Sequence, residues 1–470
     1  MSRLDVLRQR RRRRGFTLIE LLVAMMAGVI VAMGAFAFAK ASTRTFQSEL
    51  RLAAANNAVT MGFRRLASDI QRAAFLSTPN IQRDFYAGNG VCVDPTGMTP
   101  VGIQTLAGVF IEYAASAPNA AFQAAHAAQP VPLALPDRIT LAGAFDSSEQ
   151  FTIRSIATGG GSLQLNIASM SGASSRVTQN NIAPNPPLDQ TVIRPNRIAR
   201  VVDTRGYQHF GVVQSVTVVP DPANPAVPRI QVVLQPSPPM YVQGTGFGGG
   251  ITNPACYGMD PGGTGMLFNV VNKVRYEVRD LSTGTDSGYY AALYANPNAQ
   301  GQNLTGVPED AARADLVRVE LDSNDQPIAG TSEIVAEYAL DLRFGITVDT
   351  NTASIVPGTA PTPIITTYGL GDPNVYKWGR SATLARTSSG PERIKSIRVR
   401  FSTRSREADR ASDVAAPFDQ PDVKQAWNGL PGGMYRYDLS TTYKGARQAW
   451  ARVKTLQAEV ALLNQLGVNY

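Results

Sequence analysis

A single carboxylate, Glu20, stands alone in the apolar stretch near the start of the chain. The run from Phe16 to Ala39 has 24 residues and no other charged side chain. As a helix it is about 36 Å long, which is enough to cross a hydrocarbon core of about 30 Å. Because a carboxylate inside a membrane segment costs about 3 kcal/mol, Glu20 is a candidate functional residue. The chemistry it suggests is an ion pair with a free α-amino group, which is cationic below a pKa of about 8.

A basic leader precedes this run. Residues 1–15 contain seven arginines and one aspartate, which give the leader a net charge of +6 out of a formal +8 for the whole chain. The remaining residues are therefore close to neutral, and the basic balance does not indicate nucleic-acid binding. Since cytoplasmic flanks of membrane helices are rich in Arg and Lys, the leader predicts a cytoplasmic N-terminus and a periplasmic head. Cleavage after Gly15 would create the free amine on Phe16; the alternative is a Glu20 that snorkels to the interface.

The leader, Gly15, the sequence Phe16-Thr17-Leu18-Ile19-Glu20 and the apolar run together resemble the signal of type IV pilins and type II secretion pseudopilins. The resemblance implies cleavage after Gly15 by a prepilin peptidase and N-methylation of Phe16. It also implies that Glu20 neutralises the Phe16 amine of a neighbouring subunit during assembly. The stretches 333–346, 392–403 and 452–464 resemble segments of PilW-type minor pilins. The chain departs from the pattern of major pilins in one respect. They often carry a helix-breaking proline some twenty residues into the mature chain, and residues 35–39 hold none.

This resemblance implies a minor pilin that assembles through its N-terminal helix into a type IV pilus, where it primes assembly or caps the tip. Its partners would be other minor and major pilins, the prepilin peptidase and the inner-membrane assembly platform, with a tip adhesin as a further candidate and no nucleic acid. It would cross the inner membrane once and later reach the cell surface in the pilus. One alternative is the bulky minor pseudopilin of a type II secretion system. A more distant one is a secreted adhesin or enzyme with an ordinary signal peptide.

The predicted fold is α+β, with a long N-terminal helix packed on an antiparallel sheet in a large, loop-rich head. Apolar residues at helical spacing extend the helix to about residue 76, with Val59, Phe63, Leu66, Ile70 and Ala73 on the face that packs. The predicted divisions are a leader (1–15), a transmembrane or filament-core helix (16–39), its amphipathic continuation (40–78) and the β-rich head (79–470). Within the head we expect a subdomain over 137–265 and a pilin-like sheet over 266–464.

Alternating or β-branched segments indicate strands. They lie at 109–113, 138–141, 151–156, 163–167, 209–219, 229–235, 268–280, 315–322, 333–348 and 392–404. The segment 450–464 fits either a strand or a helix. Residues 114–136 and 350–372 are rich in Ala, Thr, Pro or Gly and indicate loops.

The residues give little support for catalysis, and we expect no cofactor and no metal. The two histidines, His126 and His209, fit structural roles. The glycines of residues 244–249 follow a proline run rather than a strand, which argues against a nucleotide site. Asp322, Asn324 and Asp325 offer oxygen ligands for calcium but lack the EF-hand spacing, which favours a plain polar turn.

The leader generates a prediction about processing. We expect intact-mass analysis of protein from its native host to show the loss of residues 1–15 and one added methyl group on Phe16. Replacing Gly15 by a bulky charged residue should block this cleavage. Cleavage after Ala39 or Ala41 would instead identify an ordinary signal peptide.

The two cysteines, Cys92 and Cys256, generate a second prediction. An even cysteine count outside the cytoplasm favours a disulfide, and the alternative is two separate buried thiols. We expect non-reducing peptide mapping to recover one linked pair. Alkylation of both thiols without reductant would contradict the bond.

Overall fold

The fold combines one long helix with antiparallel β-sheets, as the α+β prediction states. The computed structural model describes residues 17–84, 86–87, 100–116, 118–129, 133–156, 162–165, 193–220, 228–236, 240, 259, 264–282, 285–294, 312–351, 362–379, 390–406, 436–438 and 450–465. The chain forms two compact units, Met1–Ala53 and Ala54–Tyr470. The first contains the start of the long helix, and the second contains its end and all the strands.

The long helix, α1, spans Leu18–Gln71, so the predicted end at about residue 76 lies too far along the chain. It ends early because Ala74 and Leu76 adopt positive φ angles of 61° and 50°, which no α-helix continues. In the second unit, the predicted packing residues Val59, Leu66, Ile70 and Ala73 are buried, and Phe63 is partly buried. In the first unit, Phe46 and Leu50 are exposed.

In the residues that the structure describes, four shorter helices follow α1. They are α2 (Val101–Gln104), α3 (Ala120–Ala127), α4 (Ser287–Tyr294) and α5 (Pro373–Gly379), with a 3₁₀ turn at Pro391–Arg393. Helix α3 lies in the stretch predicted as loop. Its N-cap is Asn119, whose side chain accepts a hydrogen bond from the Phe122 amide at 2.8 Å. Such a cap satisfies a backbone donor that the helix itself leaves open.

Fifteen strands occur in the described part of the chain. They are β1 (Val109–Glu112), β2 (Arg138–Gly143), β3 (Phe151–Ile156), β4 (Ser162–Leu165), β5 (Ile198–Val202), β6 (Gln208–Pro220), β7 (Pro228–Leu234), β8 (Leu267–Arg279), β9 (Asp315–Leu321), β10 (Glu333–Ala336), β11 (Ala339–Asp349), β12 (Ile365–Tyr368), β13 (Ile394–Arg404), β14 (Arg436–Asp438) and β15 (Trp450–Ala461). The ambiguous last segment is therefore a strand. The sequence prediction missed β5, β12 and β14.

The predicted strand over 333–348 is divided in two. Tyr338, between β10 and β11, has a positive φ of 53°, and the chain moves there from one sheet to another. The guanidinium groups of Arg313 and Arg404 lie over the Tyr338 ring, 4.8 and 4.9 Å from its centroid. These cation–π contacts hold a residue in a backbone conformation that is uncommon for bulky side chains.

The strands form three antiparallel arrangements. Strands β3, β4, β7, β6, β5 and β8 pair in that order, and β8 pairs back with β3, so these six close into a barrel. The second half of β8 belongs to a sheet with the order β1-β2-β8-β9-β10. The third sheet has the order β12-β11-β13-β15-β14.

The core of the second unit lies between the two five-stranded sheets and the end of α1. One cluster unites Leu66 and Ile70 of the helix with Tyr276 of β8, Phe344 of β11 and Phe401 of β13. A separate cluster fills the barrel, with Phe268, Val232 and Met240 among its buried residues. The helix is therefore part of the main core rather than an appendage to it.

Gly62 lets α1 approach β10 and β13 closely. A Cβ atom there would lie 2.8 Å from the Cβ of Ala336 and 3.0 Å from a ring carbon of Phe401. We expect Gly62→Leu in the full chain to lower the free energy of unfolding by about 3 kcal/mol, because the core would be overpacked. Ser68→Leu adds the same side chain on the exposed face of the helix and should change the free energy of unfolding by about 0.5 kcal/mol or less. Thermal unfolding in detergent, followed by near-UV circular dichroism, measures both; equal midpoints would contradict this packing.

Candidate functional site

The start of α1 carries the residue that the sequence singled out. Thr17 precedes the helix, and its amide nitrogen and Oγ1 donate to Oε2 of Glu20 at 2.9 and 3.0 Å. The Glu20 amide donates in return to Oγ1 of Thr17 at 3.3 Å. This reciprocal pattern is a capping box, which satisfies donors that the first turn leaves open. Glu20 therefore lies in the first turn of α1, where the helix dipole favours negative charge.

Glu20 retains capacity for a further partner. Among the described residues, Thr17 is the one that bonds to the Glu20 carboxylate, and it uses Oε2 alone. The residue is exposed, and its hydrogen bonds with described residues do not involve Oε1. The described geometry therefore leaves one oxygen for a further cation, such as an ammonium group. Gly15 and Phe16, the predicted processing residues, lie outside the described residues, as do Cys92 and Cys256.

The side chains around Glu20 on the helix are apolar and exposed. The large apolar residues between Leu18 and Phe38 have between 48% and 78% of their surface accessible. The helix is long and apolar enough to cross a membrane. An isolated chain in water would leave this surface unburied, which is unfavourable by about 25 cal/mol per Å². This segment therefore needs lipid or other apolar helices around it, and the structure suggests membrane anchoring.

In the second unit, a buried carboxylate joins the helix to the sheet. The Oδ2 atom of Asp69, which is 1% exposed, accepts hydrogen bonds from the Tyr276 hydroxyl at 2.7 Å and from Nε of Arg318 at 2.8 Å. Burial and the adjacent carboxylate raise the pKa of Tyr276, so its hydroxyl remains a donor. The sequence analysis did not place Asp69 on the packing face, because a charge in that pattern usually marks the solvent side.

The C-terminal end of α1 is held by three other segments. Nδ2 of Asn464 donates to the carbonyl oxygens of Gln71 and Ala73, at 3.3 and 3.0 Å. Arg72 donates to the carbonyl oxygen of Ala144 at 2.6 Å. The Asn269 side chain donates to the carbonyl oxygen of Leu76 at 2.8 Å. The bond from Asn464 to Gln71 satisfies a carbonyl group that the end of the helix leaves open. Together, the bonds fix the position of this helix end in the second unit.

Both histidines are buried in the second unit. His126 contacts the Tyr437 hydroxyl through Nδ1 at 2.9 Å and the Leu340 carbonyl oxygen through Nε2 at 3.0 Å. A carbonyl only accepts, so Nε2 carries the proton and Nδ1 accepts from Tyr437. Burial lowers the pKa of His126 to about 4, which keeps the ring neutral. Nε2 of His209 lies 3.7 Å from Oδ2 of Asp203.

The polar turn after β9 uses its carboxylates internally. Oδ2 of Asp325 accepts from the Thr105 hydroxyl at 2.8 Å, and Oδ1 forms an ion pair with buried Lys273. Oδ1 of Asp322 accepts from the amides of Asn324 and Gln326 at 2.8 and 2.9 Å. Over the residues that the structure describes, no group of three or more His, Cys, Asp or Glu side chains is placed to hold a metal ion.

Comparison with known proteins identifies a motif near the start of the chain. The family model of the prokaryotic N-terminal methylation motif matches residues 10–36, which include Gly15, Phe16 and Glu20. No curated protein and no solved structure matches the chain. The motif supports a type IV pilin-like protein that a prepilin peptidase processes and that assembles with other pilins through its N-terminal helix.

Proposed function

We propose that this chain is a PilW-type minor pilin, which assembles through α1 into a type IV pilus and primes assembly or caps the tip. The observation that carries the proposal is the open carboxylate of Glu20 at the start of an exposed apolar helix, within the methylation motif. An apolar helix bundle lowers the dielectric constant around Glu20. An ammonium group then becomes a much stronger partner than it is at a surface, where ion pairs contribute about 0–1 kcal/mol.

The size of the head favours a place at the end of the filament. Residues 54–470 form one compact unit that contains a barrel and two sheets. Repeating a head of this size along a tightly packed filament would be sterically costly, whereas a single copy at the tip meets no such limit. The role we propose is structural rather than catalytic. The bonds of both His126 ring nitrogens within the core support this view.

The proposal predicts the effect of removing the Glu20 carboxylate. We expect Glu20→Ala to leave membrane insertion, leader cleavage and the head intact, since none of these needs the carboxylate. It should lower co-purification with partner pilins from detergent-solubilised membranes at least tenfold at matched expression. The reason is that an ammonium group left buried without its partner costs about 3–5 kcal/mol. The identity of the recovered partners separates a pilus from a secretion system.

A second variant tests the case in which this protein lies at the tip of the filament. At the extreme tip Glu20 meets no amine from above, and the Phe16 amine carries the contact with the next subunit. There Glu20→Ala should behave nearly normally, but Gly15→Arg, which blocks cleavage and so prevents the amine from forming, should abolish recovery. If both variants were recovered like the wild type, assembly through this ion pair would be refuted.

A further inference from the structure

Within the described part of the chain, β12 is an edge strand whose outer side has no strand paired to it. Among the strands that the structure describes, it pairs with β11 alone. Ile365 lies opposite Asp349, and Tyr368 lies opposite Ile346. The residue before it, Ile364, is 57% exposed, and Ile365 is 55% exposed. The strand therefore presents apolar side chains and one row of backbone groups to its surroundings.

The hydrogen-bond pattern shows which backbone groups face outward. The Thr350 amide donates to the Ile364 carbonyl oxygen at 2.8 Å, so these two residues form a hydrogen-bonded pair. Such pairs alternate along an antiparallel ladder, which places Thr366 and Tyr368 in the same class. The N–H and C=O groups of Ile365 and Thr367 consequently point away from β11. Pro363 has no N–H group and limits the open edge to these two residues.

The edge of β12 carries no charged side chain, unlike two other edge strands of this head. Residues 363–370 include no charged side chain. By contrast, β10 begins with Glu333 and contains a bulge after Ile334, and β14 has only three residues, with a charge at each end. Charges and bulges are usual means of preventing edge-to-edge pairing, and β12 has neither. The segment Ile364-Ile365-Thr366-Thr367 instead has high β-propensity, which favours the addition of a strand.

We propose that the open edge of β12 accepts an extended, uncharged strand from the head of a neighbouring pilin in the same assembly. The size of the edge identifies this occupant. Two outward residues offer four backbone hydrogen bonds and far less than the about 1,000 Å² that a freely formed stable interface buries. A second free copy of this chain would therefore not be held. A subunit already tethered through its helix has an effective concentration in the millimolar range, for which a small contact suffices.

The inference rests on the proposed function and adds the head contact to it. The incoming strand would pair with Ile365 and Thr367 and place an uncharged side chain beside Ile365. Main-chain hydrogen bonds would supply the attraction, and the exposed isoleucines would select an apolar neighbour. This is the β-augmentation mode of recognition, applied here between two pilin heads.

The experiment uses a photo-crosslinking amino acid at Ile364 in the full chain, expressed in the native host. We expect cross-linked peptides from a protein that has its own prepilin motif, mapped to an extended segment of its head. Thr367→Pro removes one outward N–H and should lower this cross-link at least fivefold without lowering the unfolding temperature. Thr366→Pro removes an inward N–H that bonds to β11, and it should lower the unfolding temperature instead.

The outcomes separate this inference from the function on which it depends. If the wild-type chain recovers partner pilins but Thr367→Pro cross-links as strongly as the wild type, strand addition at β12 is refuted and the pilin function stands. Cross-links to a second copy of this chain, or to a protein without a prepilin motif, also refute it. If the wild-type chain recovers no pilin at all, the proposed function fails, and the inference fails with it.

Discussion

The arrangement of the head depends on Asp69, a charged residue on the face of α1 where an amphipathic helix usually has apolar side chains. Asp69 lies on the buried face of α1, where its Oδ2 atom meets the hydroxyl of Tyr276 and the guanidinium of Arg318. A buried carboxylate is tolerated only when it is paired and hydrogen-bonded, and losing one partner typically costs about 3–5 kcal/mol. Hydrophobic packing alone would tolerate small shifts of a helix on a sheet. The directional bonds of Asp69 allow one position along β8 and β9.

Strand β8 is the second constraint, because two parts of the fold share it. Its first half closes the barrel with β3 and β5, and its second half is the central strand between β2 and β9. The junction is charged and buried. Lys273 donates to the Gly102 carbonyl oxygen and the Thr105 hydroxyl at 3.1 and 2.9 Å and pairs with Asp325. Arg197 of the barrel side pairs with Asp146 and Glu320. The barrel is thus tied to the sheet that supports α1.

Local patterns in the sequence predicted the elements better than their assembly. Alternation identified most strands, and the Thr-x-x-Glu spacing of Thr17 and Glu20 contains a capping box that could have fixed the start of α1. The closure of the barrel could not be predicted from local patterns, because pairing between β3 and β8 joins residues far apart in sequence. The turn at Tyr338 could not be predicted either, because its positive φ depends on tertiary contacts with two arginines. The buried position of Asp69 was unpredictable for the same reason, since its partners lie on distant strands.

The two compact units differ in where their side chains find partners. In Ala54–Tyr470, buried charges such as Asp137 have partners inside the chain. Its carboxylate accepts hydrogen bonds from Nη1 of Arg343 at 2.7 Å and from the Tyr376 hydroxyl at 2.8 Å. In Met1–Ala53, the apolar side chains from Leu18 to Phe38 are exposed, and one oxygen of Glu20 is unused by the described residues. A soluble monomer rarely exposes an apolar surface of this extent. Buried charges such as Asp137 are therefore paired within the chain, whereas the N-terminal helix reaches its stable environment only in lipid or among other helices.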